Sequence, residues 1–458
     1  MASSSSSSSH LKKPSFIFIL FFVLQFISSA RPESFIGVNY GTVADNLPPV
    51  TETARLLKST IIQKVRLYGA DPDIIKALAN TGIGIVVGAA NGDIPALASD
   101  PDFAGEWVNS NVLAYPGSEI IVVSVGNEVM RSVDQNIISS LLPAMQNVQN
   151  ALNAAGIGKK VKVSTVHAME VLSQSDPPSS GTFKSADTMK SWLQFFQDNG
   201  CPFMINPYPY FAYQGDQRPE TLAFCLFQNN AGRVDAYTNK KYMNMFDAQV
   251  DAVYSALNAM GFKEVEIVVA ETGWPSKGEA TEAGATVENA RAYNGNLINH
   301  LRSKVGTPLM PGKPVDTYIF SLYDEDLKPG ALSEKSFGLF QPNRSSTYEV
   351  GLFLNTSQTS APSPVTPPMT PAPTTPPPIS GVTPAATTPP PISVVTPAAT
   401  VANPVANPLP PAYQAGRSVG TGMSCRPSHS LQIILVIMGA FMMMIMAHEG
   451  EDRYFKLL

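Results

Sequence analysis

Two glutamates each close a run of β-branched residues. Glu128 lies in IIVVSVGNEV, Ile120 to Val129, and Glu271 lies in EIVVAETGWP, Glu266 to Pro275. A continuous apolar run of this length reads as a strand buried on both faces, as in a parallel sheet. A carboxylate just past such a strand stands where α/β barrels keep their chemistry. Two carboxylates facing one gap are suited to cleaving a glycosidic bond. One protonates the leaving oxygen, and the other attacks or stabilises the oxocarbenium-like centre. The acid of such a pair needs a raised pKa, from burial or from its neighbour's charge. Asn127, beside Glu128, offers an amide to a sugar hydroxyl next to the reacting carbon. After Glu271, Thr272-Gly273-Trp274-Pro275 turns the chain sharply, and Trp274 offers a flat face to a sugar ring. One glutamate after a strand is ordinarily a solvated loop carboxylate. Two in matching contexts, one preceded by Asn, shift the balance toward chemistry.

The elements that must position this pair alternate between strand and helix from Ser34 to about Asn355. Strands are predicted at Phe35–Asn39, Lys64–Tyr68, Gly84–Ala89, Ile120–Gly126, Val161–Val166, Phe203–Asn206, Val265–Ala270 and Thr317–Ser321. Amphipathic segments lie between them, at Pro49–Lys58, Asp73–Asn80, Ile137–Ala155, Lys190–Asn199, Met245–Met260 and Val287–Ser303. Asp134 is placed to cap the helix carrying Ile137, Ile138, Leu141 and Leu142, and Gly156 follows its end. Gly82 and Gly261 stop two others in the same way. Eight strands alternating with helices over this length have the rhythm of an α/β (β/α)8 TIM barrel. A doubly wound open sheet is the competitor. Against it, the first strand runs into NYGTVADN, which has no glycine-rich dinucleotide fingerprint. Strands four and seven of a barrel end on the same face, so Glu128 and Glu271 can share one cleft.

Composition narrows the class of partner. The chain of 458 residues has 31 Lys+Arg against 36 Asp+Glu, a net charge of -5. It has no basic cluster of the kind that neutralises phosphates, so nucleic acid is not an expected partner. No group of His, Cys and carboxylates has ligand spacing, and neither a metal nor another cofactor is implied. His167, after the fifth strand, reads as structural. Three cysteines exclude a disulfide-built scaffold. Cys201 and Cys225 are equally readable as a pair or as two buried free thiols.

The motifs around these residues resemble a known family, the plant endo-1,3-β-glucanases of glycoside hydrolase family 17. The resemblance covers about Phe35 to Leu354. It rests on IGVNYG at Ile36–Gly41, VRLYGADP at Val65–Pro72, VGNEV at Val125–Val129, INPYPYF at Ile205–Phe211, ETGWPS at Glu271–Ser276 and FGLFQP at Phe337–Pro342. It implies a (β/α)8 barrel with a long cleft, with Glu128 as proton donor and Glu271 as nucleophile of a retaining mechanism. Retention in turn implies carboxyl groups about 5–5.5 Å apart. By the same resemblance Tyr40, Tyr68, Tyr208, Phe211, Glu325 and Lys328 border the cleft, the rings meeting apolar sugar faces and the charged pair the rim. Core packing is the competing reading of the aromatics. Glu325 and Lys328 lie in SLYDEDLKPG, which departs from the asparagine-containing form common in the family. The implied substrate is callose or a related linear 1,3-β-glucan. Alternatives are a transglycosylase that remodels wall glucan and a glucan-binding wall glycoprotein with little turnover.

The two ends read as targeting and anchoring segments. Residues 1–30 have the form of a signal peptide: Lys12 and Lys13, an apolar run from Phe16 to Ile27, then Ser28-Ser29-Ala30. Residues 31–355 are the hydrolase region. Residues 356–420 read as a Pro/Thr/Ala-rich segment expected to be a disordered stalk, with TPPPISGVTPAAT from Thr375 nearly repeated from Thr388. Its Thr-Pro and Ala-Pro dipeptides resemble the O-glycosylated stalks of plant wall proteins. At the start of residues 421–458, small residues at Gly420, Thr421 and Gly422, spanning the boundary, and a polar spacer precede an apolar run, Leu431 to Ala447. That order matches a GPI-attachment signal. The charged ending HEGEDRYFKLL keeps a transmembrane helix as the alternative; release by a phosphoinositide-specific phospholipase distinguishes the two. Asn343 and Asn355 begin N-glycosylation sequons. The expected product is a secreted monomer on the outer face of the plasma membrane or in the wall.

Overall fold

Short runs of Val and Ile lack the length for a helix and have two buried faces, so they pair as parallel strands. The computed structural model describes residues 35–354, and eight such strands close into a barrel there. They are β1 (Ile36–Tyr40), β2 (Lys64–Leu67), β3 (Gly84–Ala89), β4 (Glu119–Asn127), β5 (Lys162–Ala168), β6 (Phe203–Asn206), β7 (Ile267–Thr272) and β8 (Asp316–Ile319). Each pairs in parallel with its neighbours in sequence, and β1 closes on β8 through Val38 and Ile319. Among the helices between them are α1 (Val50–Lys58), α2 (Pro72–Ala77), α3 (Ile94–Ser99), α4 (Pro101–Val108), α5 (Gln135–Ala154), α6 (Ala186–Asn199), α7 (Pro209–Gly215), α8 (Pro219–Cys225), α9 (Met245–Ala259) and α10 (Val287–Ser303). The predicted (β/α)8 barrel is therefore the observed one. Asp134 caps α5 by accepting from the Asn136 N–H, and Gly156, just past its end, takes φ +74°.

Alternation along each strand divides the core in two. Odd positions of β2 and β3, such as Val65, Leu67, Ile85 and Val87, face the helices and join one large cluster with α5, α6, α9 and α10. Phe35, Val86, Val122, Val166, Met204, Val268, Ala270 and Tyr318 form a smaller cluster that fills the barrel interior. Above that apolar plug, toward the carboxyl ends of the strands, the interior turns polar. Asn39, Arg66, Ser124, Asn206 and Glu271 are all buried.

Two expectations about the cleft are corrected, the first by this alternation. Tyr40 follows Val38 in phase and points outward, where its hydroxyl lies 3.5 Å from Thr53 on α1 and its ring meets Tyr323 edge-on. It is 3% exposed and is a packing residue. Trp274 is 0% exposed. Beyond Glu271 the chain carries it into the helix layer, among Tyr210, Tyr213 and Tyr293. Its Nε1–H is spent on the Gly284 carbonyl at 2.8 Å, so it has no face to offer a sugar. Cys201 and Cys225 are both free and buried. The signal segment, the stalk, Asn355, Gly420, Thr421, Gly422 and the C-terminal apolar run lie outside the described residues.

Trp274→Ala is expected to leave a cavity among those tyrosines and to cost about 3–5 kcal/mol of stability, read by denaturant unfolding. A sugar-stacking role would instead predict near-normal stability with weakened ligand binding.

Candidate active site

Glu271 sits within β7, where the pairing with β8 slips between Val269 and Thr272. The slip turns its side chain toward the barrel mouth. A carboxylate there is costly unless donors surround it. Three do. Arg66 Nη1 donates to Oε1 at 2.5 Å, the Tyr68 hydroxyl donates to Oε1 at 2.8 Å, and the Tyr208 hydroxyl donates to Oε2 at 3.0 Å. Burial, followed by the charge of Glu271, raises both phenols well above the ordinary tyrosine value. Both therefore remain donors at any working pH.

Arg66 is the inward residue of β2 and is fully enclosed, with a side chain 1% exposed. A charge so placed needs compensation from several directions. Besides Glu271, its Nη2 donates to Asn127 Oδ1 at 2.6 Å and its guanidinium lies 4.6 Å from the Tyr68 ring centre. Arg66 thus joins the carboxylate of β7 to the residue that precedes the carboxylate of β4.

Glu128 follows β4 directly and holds φ +51°, ψ +38°. This left-handed conformation costs a non-glycine residue about 1–2 kcal/mol. Its backbone N–H donates to Val166 at 2.8 Å. Asn206 Nδ2 donates to one carboxyl oxygen and Arg131 Nη1 to the other, each at 2.8 Å. Burial and then the negative charge of Glu271 raise the Glu128 pKa, while Arg131 and Asn206 oppose the rise. The result is an unequal pair: one carboxylate ringed by donors and one acid held above the ordinary carboxylate value. Such a pair can protonate a leaving group on one side and attack carbon on the other.

Tyr68 and Tyr208 therefore meet Glu271, and Asn127 lies beside Glu128 with its oxygen on Arg66. Phe211 is half-buried, its ring 5.2 Å from that of Tyr208. Phe320 and Phe337 are buried and back Tyr208 edge-on, at 6.3 and 6.0 Å from its ring. Lys328 closes this aromatic cluster from above, with Nζ 4.3 Å from the Phe320 ring centre and 3.1 Å from Glu334. Glu325 is 3% exposed and accepts from the Val43 N–H at 2.8 Å, which ties the loop after β1 to the loop after β8. A side chain at Gly41 would collide with that carboxylate. His167 points outward between Trp192 and Phe203, in the helix layer, as its structural reading required. Asn343 is exposed, and its Oδ1 accepts from the backbone and hydroxyl of Ser345.

Arg66, Asn206 and Arg131 were not among the residues singled out from sequence. Arg66 and Asn206 stand in the motifs VRLYGADP and INPYPYF, each at an inward position of its strand. A charged or amide side chain at an inward strand position must have a buried partner, and that signal points to both. Arg131 had no comparable signal.

Arg66→Met is expected to destabilise the protein by about 3–5 kcal/mol, because Glu271 is left buried without its cation. Arg66→Met combined with Glu271→Leu should recover most of that loss in the same denaturant measurement. Additive losses would show that the pair is not coupled.

The model of the glycosyl hydrolases family 17 matches residues 36–352. Glucan endo-1,3-beta-glucosidase 7 of Arabidopsis thaliana is 66% identical over 352 residues, which cover 76% of this chain and 70% of that protein. The glucan endo-1,3-beta-D-glucosidase of Olea europaea is 64% identical over 361 residues, 78% of each chain. Among solved structures, a beta-1,3-glucanase and allergen of Cryptomeria japonica pollen superposes with a TM-score of 0.67 at 45% identity, covering 70% of this chain and all of that one. A fold, a pair of strand-end glutamates and a family match over the whole barrel agree: this chain belongs to glycosyl hydrolase family 17.

Proposed function

We propose that the protein is an endo-acting, retaining hydrolase of 1,3-β-D-glucosidic linkages in linear glucans such as callose. The observation that carries the reading is the unequal pair of Glu128 and Glu271 at the carboxyl ends of β4 and β7. Relatives named for the same activity, 64 and 66% identical, support the substrate class.

In this reading the glucan lies across the barrel mouth with its scissile oxygen beside Glu128. Glu271 attacks the anomeric carbon while Glu128 gives its proton to the leaving oxygen. The C–O bond to the leaving sugar breaks, and a glycosyl ester forms on Glu271. Glu128, now ionised, takes a proton from water, which attacks the same carbon and frees Glu271. Two inversions give net retention. Tyr68 and Tyr208 hold the attacking carboxylate in place and steady its oxygens as their charge changes. Asn127 keeps its oxygen on Arg66, so its amide nitrogen is the group left to meet a hydroxyl beside the reacting carbon. Tyr208 and Phe211 supply apolar wall for glucose faces, backed from inside by Phe320 and Phe337. Lys328 and Glu325 stand at the rim. Residues 1–30 would direct secretion, and residues 421–458 would be exchanged for a GPI anchor on a monomer held at the cell surface. Asn343, exposed in its turn, would carry an N-glycan.

Reducing-sugar release from laminarin tests the reading. Glu128→Gln should lower kcat by about 10²- to 10⁴-fold, and Glu271→Gln should abolish turnover. The first anomer seen by proton NMR should be β; an α product would reject the retaining mechanism. The pH profile has a defined sign. Activity requires protonated Glu128, so it falls as pH rises through the Glu128 pKa. Arg131 lowers that pKa, and Arg131→Ala should therefore move the alkaline limb of kcat/KM to higher pH. An unmoved or lowered limb would show that Glu128 is not the acid.

A further inference from the structure

The strained placement of Glu128 needs something to hold it, and β4 alone does not. Backbone pairing between β3 and β4 ends at Ala89 and Val125. On the other side the register with β5 slips between Ser124 and Asn127. Gly126 and Glu128 then both take positive φ, +73° and +51°. The peptide of Asn127 thus lies between two left-handed residues, one step past the end of one ladder and at the slip in the other.

Asn91 fills the missing place. It opens the short turn Asn91–Asp93 after β3, two residues beyond Ala89, just as Asn127 is two beyond Val125. Its Oδ1 accepts from the Asn127 N–H at 2.7 Å, and its Nδ2 donates to the Asn127 carbonyl at 3.0 Å. The side-chain amide thereby makes both hydrogen bonds that a continued β3 backbone would have made. Gly126 accommodates it: a Cβ at that position would lie 3.0 Å from Asn91 Oδ1 and closer still to Val129.

The geometry points to Asn91 as a positioning residue for both glutamates. It fixes the Asn127 peptide that immediately precedes Glu128, and the Asn127 side chain accepts from Arg66, which in turn holds Glu271. Asn91 acts only through Asn127. The charged groups that face Glu128 are Arg131 and Glu271, with Glu170 behind Arg131 at 3.9 Å. The inference rests on the proposed roles of the two glutamates. Asn147 provides a comparison: its Nδ2 also makes two backbone hydrogen bonds, to Leu97 and Ala98, away from the site.

Asn91→Ala, and Asn91→Ser, which cannot span both backbone groups, should lower kcat on laminarin by about 10- to 100-fold with KM nearly unchanged, as expected for a displacement of about 1 Å. Asn147→Ala should leave kcat and its pH profile intact while lowering Tm. Titration of the Glu128 carboxyl by carbon NMR gives a readout independent of substrate. Released from its buried position, Glu128 should titrate nearer the ordinary carboxylate value in both Asn91 variants than in the wild type. Wild-type kcat in the Asn91 variants, or an unmoved Glu128 titration, would overturn the inference. Wild-type protein inactive on laminarin would instead sink the functional reading, leaving the titration to decide the role of Asn91.

Discussion

A positive charge buried inside the barrel organises the site. Arg66 cannot be hydrated, so its guanidinium must find oxygen partners within reach. It finds Glu271 on β7 and Asn127 on β4, strands that are not paired with each other. The barrel brings these strands to one face, and the arginine fixes how they meet. Remove the apolar plug beneath, with Val86, Val122, Val166, Met204 and Val268, and water would reach the guanidinium from below. The plug keeps the local dielectric low, and the low dielectric makes the charge pairing strong.

The two glutamates differ because their neighbours differ. Tyr68 and Tyr208 are locked as donors and, with Arg66, face Glu271, an arrangement suited to an oxygen that only accepts. Glu128 is enclosed as well, but it has Asn206 and Arg131 and feels the charge of Glu271. One environment suits attack and the other suits proton donation. The left-handed turn at Glu128 is the cost of presenting the acid to the cleft rather than to the strand ladder, and the hydrogen bonds of the Asn127 and Glu128 peptides offset it.

Much of this was legible in the sequence. Short apolar runs alternating with amphipathic segments located the eight strands to within about two residues. The pairing of a strand end with a carboxylate located Glu128 and Glu271. The faces of individual residues were harder. Tyr40 and Trp274 sit beside cleft residues in the sequence but on the opposite face, and strand phase alone would have separated Tyr40. Trp274 lies past a turn, where phase is lost. Cys201 and Cys225 could not be decided because pairing depends on distance. Arg66 and Asn206 were visible as polar side chains at inward strand positions. Asn91 was not, because its role is to replace a backbone that stops short, and only the register of β3 with β4 reveals that.

The central claim is that Glu271, set by Arg66, Tyr68 and Tyr208, is the group that bonds to sugar carbon. The most direct measurement uses a 2-deoxy-2-fluoro-laminaribioside with a good leaving group, which slows hydrolysis of a glycosyl ester. Digestion and mass spectrometry should then find one modified peptide, with the added mass on Glu271. Modification of Glu128, or complete turnover of the reagent with inverted product and no adduct, would contradict the account.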